Sequence, residues 1–276
     1  MIRGVLIDLS GTLHVGGKVI PGAVESLKRL RDSGKRVRFL TNTSTKSTSR
    51  LWQEVLDMGL CETTSQGQME DMLLTSVLAT KQYLMKHQKR PLCLMEDVSD
   101  FEGSVNLSPP HDCVVVGLAP TKLNYENLNQ AFRVLLKNDS KSKGPTNNNK
   151  LIAIHRGNFL RDADAELSLG PGGFVTALEA ATSSSSDKTV VMGKPSTEFY
   201  QSAMWPDFRP DEICMIGDDI LGDIQGAQTS GIGTTILVRT GKYRADDETK
   251  IETPPTRVCN SIIQAVDFIL ESEKTK

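Results

Sequence analysis

The chain has 276 residues, a formal charge of −2, 38% hydrophobic residues besides its 22 glycines, and only 5% aromatics, so it reads as one large or two modest globular domains. Such a charge and so few rings exclude a nucleic-acid footprint, a base-stacking platform and a polybasic membrane anchor, and no run approaches the roughly 20 apolar residues of a membrane span. The beginning lacks a secretion-type leader and the cysteines (Cys61, Cys93, Cys113, Cys214, Cys259) are never spaced Cys-x-x-Cys, which predicts reduced thiols and a cytoplasmic location.

The run Gly4-Val5-Leu6-Ile7 predicts a strand buried on both faces, as in a parallel sheet, and it ends in Asp8. Ser10-Gly11-Thr12 then turns the chain. Gly16-Gly17 suits a two-residue hairpin between residues 13–15 and 18–20. Pro21 opens a predicted helix carrying Val24, Leu27 and Leu30 at helical spacing, and Ser33-Gly34 stops it. Residues 37–40 form the next strand, ending in Thr41-Asn42-Thr43. A helix from about Ser49 follows, with Leu51, Val55 and Met58 inward and Gly59 as its stop. Strand, helix, strand, helix with short links predicts right-handed parallel crossovers in a doubly wound α/β sheet.

From Thr80 to Ser186 the pattern changes. Strands are expected at 92–95, 114–118 and 151–155, and helices at 124–136 and 174–181. Residues 138–149 read as a polar surface loop and 183–186 as a polar linker. The predicted organisation is therefore a core from 1–79 and 187–276, interrupted by an inserted α/β domain at 80–186. In the last third, strands are expected at 189–192, 213–216 and 234–238. A closing helix carries Ile262, Val266, Ile269 and Leu270.

Four strand ends present polar groups in order: Asp8, Thr41-Asn42, Lys194, and Asp218 with Asp219 and Asp223. Parallel strands bring such ends to one edge of a sheet, where ligands bind in open α/β folds. Carboxylates gathered there repel one another unless a cation lies between them, and oxygen ligands beside a phosphate suit Mg²⁺. Lys194 offers charge to a nucleophilic carboxylate and to a phosphoryl oxygen. Thr41 offers a hydroxyl, and Asn42 a backbone N–H, to the same phosphate. A nucleophile, a metal and donors around the phosphoryl oxygens are the parts of phosphoryl transfer. An EF-hand reading fails because Ile220 stands where an oxygen ligand is needed, and Gly170-Pro171-Gly172-Gly173 is no dinucleotide fingerprint.

In order and residue type, these motifs resemble those of the haloacid dehalogenase superfamily of aspartate-nucleophile phosphatases, in its class with a large cap between the second and third motifs. Asp8-Leu9-Ser10-Gly11-Thr12 resembles the first motif, Thr41-Asn42 the second, Lys194 the third, and Gly217-Asp218-Asp219 with Asp223 the fourth. Gly117-Leu118-Ala119-Pro120, the helix with Tyr125, Leu128 and Ala131, and Leu169-Gly170-Pro171-Gly172-Gly173-Phe174 extend the likeness through the cap. The resemblance implies a Rossmann-like core with an inserted cap. It also implies Asp8 as nucleophile through an aspartyl-phosphate, with Mg²⁺ held by Asp8, the carbonyl of Ser10 and Asp218. Phosphate is then expected to meet Asp8, Ser10, Thr41, Asn42 and Lys194, with Asp219 and Asp223 in support.

One departure stands out. The superfamily's second motif-one aspartate, its general acid and base, is here Ser10, whose hydroxyl has no useful acidity near neutral pH. General acid–base help is worth about 10²- to 10⁴-fold, and an alkoxide leaving group misses it most. Phosphoramidates (phospholysine, phosphohistidine) and pyrophosphate depend on it less. The expected partner is accordingly a phosphorylated small molecule or phosphoprotein, with cap residues 157–162 near the substrate; a homodimer is left open. Two other readings are a phosphotransferase and a weakly active phosphate-binding protein.

Overall fold

The computed structural model describes residues 1–62, 65–136, 150–161, 166–182 and 189–271. They fall into two compact units. The first comprises Met1–Thr41, Ser49–Leu74 and Lys194–Lys276, the second Asn42–Thr48 and Thr75–Gly193. The expected loop at 138–149 and linker at 183–186 lie outside the described residues, as does Asp162.

The first unit is built on a six-stranded sheet in the spatial order Arg257–Cys259, Thr234–Val238, Ile213–Gly217, Gly4–Asp8, Arg36–Thr41, Leu73–Thr75. Its central strand, Gly4–Asp8, pairs in parallel on both sides, with Leu6 level with Met215 and with Arg38. Such a strand has no solvent face, and all five of its residues are buried. Alternation then sorts the side chains. Val5 and Ile7 join one core with Phe39, Ile216, Ile236 and the helices Ala23–Asp32 and Ile262–Glu271. On another part of the sheet Leu237 packs with Ile220, Ile224 and Ile251. The architecture is the expected α/β one, with parallel sheets and helices.

Most expected elements are present, with shifts of a residue or two. The helix after Pro21 begins at Ala23, because Gly22 holds φ 79° as its N-cap. Its inward residues are Ala23, Leu27 and Leu30, while Val24 is 42% exposed. The i, i+4, i+7 spacing of the first three defines the stripe, and Val24 is rotated off it. Thr48–Asp57 turns Leu51, Trp52 and Val55 inward. Several elements escaped the sequence reading: the short edge strands Leu73–Thr75 and Arg257–Cys259, the short helices Gln66–Met72 and Thr197–Ala203, and the longer helix Ser76–Lys86.

The second unit holds a parallel four-stranded sheet in the order Val190–Val191, Lys150–Ala153, Cys113–Val116, Pro91–Leu94. Val114, Val116, Leu151 and Ala153 pack against Ala131 and Val134 of helix Tyr125–Leu136, and against Val175 and Leu178 of helix Gly172–Ala181. The strand expected at 189–192 therefore differs from its reading in one respect. It pairs with Lys150–Ala153, Val190 level with Ile152, and so closes the second sheet instead of resuming the first. Asn42–Thr48 is also tied to this unit. Asp100 accepts from the Thr48 N–H and hydroxyl (2.8 and 2.9 Å), Asp97 accepts from Ser47 N–H at 3.2 Å, and Ser44 Oγ accepts from Leu118 N–H at 3.0 Å. Those bonds satisfy the N–H groups of Ser47, of Thr48 in the first turn of its helix, and of Leu118.

Leu27 carries no exposed surface and joins the core shared with Ile262–Glu271. Leu27→Ala is expected to destabilise the protein by about 2–5 kcal/mol, through lost transfer energy plus the cavity left behind. Urea unfolding followed by circular dichroism measures it; a loss below about 1 kcal/mol would place Leu27 outside the tightly packed core.

Candidate active site

Strand Gly4–Asp8 delivers Asp8 to the C-terminal edge of the first sheet, where it is 6% exposed. Its Oδ1 accepts from Lys194 Nζ at 2.5 Å, and its Oδ2 lies 3.4 Å from Thr12 Oγ1. The Lys194 ammonium also donates to Asp223 Oδ1 at 2.7 Å. One cation is thus shared by two buried carboxylates. Burial alone would lower the Lys194 pKa, but Asp223 and Asp8 overcome it and hold the pKa above the usual lysine range.

Strand Ile213–Gly217 pairs beside Gly4–Asp8 and leads straight into Asp218. The chain next winds a π-helical turn, Ile220–Gln225, a form that often marks functional sites. Asp219 caps this turn, its Oδ1 accepting from Leu221 N–H and Gly222 N–H at 3.1 and 2.9 Å. One turn on, Asp223 points back to Lys194, and its Oδ2 accepts from Asp219 N–H at 3.1 Å. Tyr200 Oη donates to the carbonyls of Gly222 and Asp223 at 2.8 and 3.1 Å, fixing the turn from beneath.

Asp8, Asp218 and Asp223 each offer an oxygen, all within 4.8 Å of one another. Burial first, then the charges of Asp8 and Asp223, push the Asp218 pKa well above the usual carboxylate range. Asp223 is likewise raised by burial, against the pull of Lys194, because Asp8 and Asp219 add to the repulsion. The same ammonium is held charged while its partner carboxyl is driven toward protonation, which means one lysine does not neutralise this many acids. A divalent cation would. The donor set fits it: both oxygens of Asp223 are already taken by Lys194 and Asp219, whereas Asp218 has one oxygen engaged, by Lys242 N–H at 2.6 Å.

The structure thus brings together Asp8, Lys194, Asp218 and Asp223. Thr41 is buried at the end of Arg36–Thr41, the strand next to Gly4–Asp8, with Leu40 level with Asp8. Ser10 is exposed in the turn after Asp8 and bridges to His14. Asn42 belongs to the second unit, as do residues 157–161 of the expected cap loop. Lys194 follows the second sheet's Val190–Val191, so its place beside Asp8 does not come from a core strand of its own.

Sequence reasoning passed over Thr240-Gly241-Lys242. This loop leaves Thr234–Val238 at the same sheet edge and closes on the site: Thr240 Oγ1 donates to the Gly11 carbonyl at 2.5 Å, and Lys242 Nζ lies 3.4 Å from Asp219 Oδ2. Gly241 has φ +58°, and a Cβ there would overlap Asp218 Oδ2 and Gly11 Cα. A glycine flanked by polar residues just past a parallel strand was the available signal, since ligands gather at that edge.

Comparisons with known proteins point to one family. A family described as haloacid dehalogenase-like hydrolase matches residues 5–102, and one described as HAD-hydrolase-like matches residues 191–265. The chain is 42% identical over 275 residues to haloacid dehalogenase-like hydrolase domain-containing protein 2 of Homo sapiens, covering 98% of this chain and 96% of that protein. It is 35% identical over 276 residues to the phospholysine phosphohistidine inorganic pyrophosphate phosphatase of Danio rerio, covering 98% and 94%. Among solved structures, a 4-nitrophenylphosphatase from Thermotoga maritima shares the fold with a TM-score of 0.81 and 24% identity, over 96% of this chain and 97% of that one.

Removing the Lys194 charge should expose how much it holds. Lys194→Met leaves Asp8 and Asp223 buried without their cation, and is expected to cost about 3–5 kcal/mol of stability. Chemical denaturation of the purified variant tests this, and unchanged stability would show that the two carboxylates are relieved by other means.

Proposed function

The chain belongs to the haloacid dehalogenase-like hydrolase family, and from that premise we propose that it is a Mg²⁺-dependent phosphatase working through an aspartyl-phosphate on Asp8. The observation that carries the reading is the shared ammonium of Lys194, 2.5 Å from Asp8 and 2.7 Å from Asp223. It sets a positive charge directly beside the carboxylate proposed as the nucleophile.

In the proposed reaction a carboxylate oxygen of Asp8 attacks phosphorus, and the bond to the leaving group breaks with its electron pair. Lys194, the Thr41 hydroxyl and the Asn42 backbone donate to the phosphoryl oxygens as charge gathers there. Water then attacks the aspartyl-phosphate and releases orthophosphate, regenerating Asp8. Bound Mg²⁺, held by Asp8, Asp218 and the Ser10 carbonyl, would neutralise the carboxylates and the incoming phosphoryl group. Asp219 and Asp223 support this set, Asp223 by orienting Lys194 and Asp219 by capping the π-helical turn.

Ser10 favours substrates whose leaving group departs without an acid. We read these as phosphoramidates or pyrophosphate, the compounds in the name of the relative from Danio rerio. The second unit, 75–193 with 42–48, is proposed to act as the cap that selects them. The exposed Ser10 also motivates a second reading, a phosphate-binding protein of negligible turnover, or one passing the phosphoryl group to an acceptor other than water.

Asp8→Asn is expected to abolish phosphate release, because the amide is nearly isosteric and a poor nucleophile. Acid-quench trapping of labelled phosphate on the wild-type protein, absent from the variant, checks it; wild-type turnover in the variant would remove the covalent mechanism. Excess chelator should eliminate activity and added Mg²⁺ restore it, with Asp218→Ala raising the Mg²⁺ needed for half-maximal rate. Undiminished rates in chelator would contradict the metal.

Ser10→Asp supplies the missing acid. It is expected to raise kcat/KM for alkyl phosphates by up to about 10²- to 10⁴-fold, and far less for phosphoramidates or pyrophosphate. Equal gains on both classes would overturn the leaving-group argument.

A further inference from the structure

The loop Arg239-Thr240-Gly241-Lys242 is anchored more firmly than a surface connection requires. Thr240 Oγ1 ties it to the Gly11 carbonyl, Lys242 N–H ties it to Asp218, and Gly241 sits where no Cβ fits. The Lys242 backbone is therefore fixed one hydrogen bond away from a carboxylate proposed to hold the metal.

Its side chain behaves differently. It is 51% exposed, and its ammonium lies 3.4 Å from Asp219 Oδ2, which itself belongs to a side chain 35% exposed. An ion pair so long and so open to solvent contributes little, and giving it up for another anion costs little. Lys194 is the opposite case, 6% exposed with its two short contacts, so its charge is already committed. Lys242 thus brings to this edge of the sheet a solvent-open ammonium on an anchored backbone.

Building on the phosphatase reading above, we propose that Lys242 is a specificity-determining residue whose ammonium leaves Asp219 to contact the leaving group, selecting phosphoanhydrides, with inorganic pyrophosphate as the simplest. When Asp8 attacks one phosphorus of pyrophosphate, the bond from that phosphorus to the bridging oxygen breaks. The electron pair stays on the departing orthophosphate, which already carries negative charge before cleavage. Lys242 meets that charge, so departure needs no proton donor. The arrangement accounts for a site that keeps its nucleophile while placing Ser10 where an acid is usual. A leaving group that is uncharged before cleavage gains far less from the same ammonium.

The test uses full-length protein with Mg²⁺ and the variants Lys242→Gln and Lys242→Arg, assayed on pyrophosphate and on 4-nitrophenyl phosphate. Lys242→Gln is expected to lower kcat/KM for pyrophosphate by about 10- to 100-fold, the worth of a charge-assisted hydrogen bond. It should change 4-nitrophenyl phosphate by less than about threefold, and Lys242→Arg should retain most pyrophosphate hydrolysis. Calorimetry supplies a second readout: in an Asp8→Asn background, Lys242→Gln should weaken pyrophosphate binding and leave orthophosphate binding unchanged. Equal losses on both substrates, or equal binding of pyrophosphate with and without the lysine, would overturn the proposal and reduce Lys242 to a screen for the acids. Wild-type turnover of 4-nitrophenyl phosphate without pyrophosphate hydrolysis would also overturn it. Failure of wild-type protein to release phosphate from either compound would instead sink the phosphatase reading itself.

Discussion

The first unit's sheet edge is organised around one shared charge, the Lys194 ammonium held between Asp8 and Asp223. Taking these three groups out of water is costly for each, and their mutual contact offsets much of it. The geometry must therefore be exact in the sense that a shift of an ångström leaves a bare buried charge. Two features supply that accuracy. Parallel pairing fixes Asp8 and Asp218 at neighbouring strand ends, and the π-helical turn sets Asp223 below them. The contact also spans 186 positions of sequence, with almost the whole second unit between its partners. The site can form only once the last third of the chain has packed onto the first strand, a contact of high order that folds late and slowly.

The three central carboxylates are not equivalent, and their hydrogen bonds say why. Asp223 spends both oxygens on protein donors and so holds Lys194 in place. Asp218 has one oxygen engaged by a backbone N–H, which orients it without satisfying it. Asp219, next in sequence, caps the turn with one oxygen and meets Lys242 with the other. Three acids within six residues thus divide into an anchor, a candidate metal ligand and a cap. Spacing alone does not separate them; the family resemblance implied Asp218 as the ligand with the other two in support, and the π-helical turn is what places each side chain.

Much of the fold was legible for a simple reason. Strands such as Gly4–Asp8 and Ile213–Gly217 are buried on both faces, so their residues form continuous aliphatic runs that polar segments do not mimic. The family resemblance rested on residues at the ends of those runs, which is where chemistry sits in such sheets. Apart from the helix Ser76–Lys86, what escaped notice was short or local. Leu73–Thr75 and Arg257–Cys259 are three-residue edge strands with no periodicity to read. Val190–Val191 looked like a core strand because apolar composition does not say which sheet a strand joins. Thr240-Gly241-Lys242 was passed over because threonine, glycine and lysine are ordinary turn residues; only the closure of Gly241 onto Asp218 and Gly11 reveals the loop as part of the site.

Charge ties these observations to chemistry. Asp8, Asp218, Asp219 and Asp223 carry four negative charges when ionised, and Lys194 and Lys242 return two positive ones. A divalent cation would bring the set to neutrality. A phosphoryl group entering that balanced site is met by the cations already there. The leaving group is not. It must carry its own electron pair away from an edge where Ser10 has no proton to give. On the reading proposed above its departure is helped electrostatically, and Lys242 is the exposed cation proposed to supply that help. A weak Asp219–Lys242 pair is then useful because it is weak: an ammonium buried like that of Lys194 would be better held and unable to follow the departing charge.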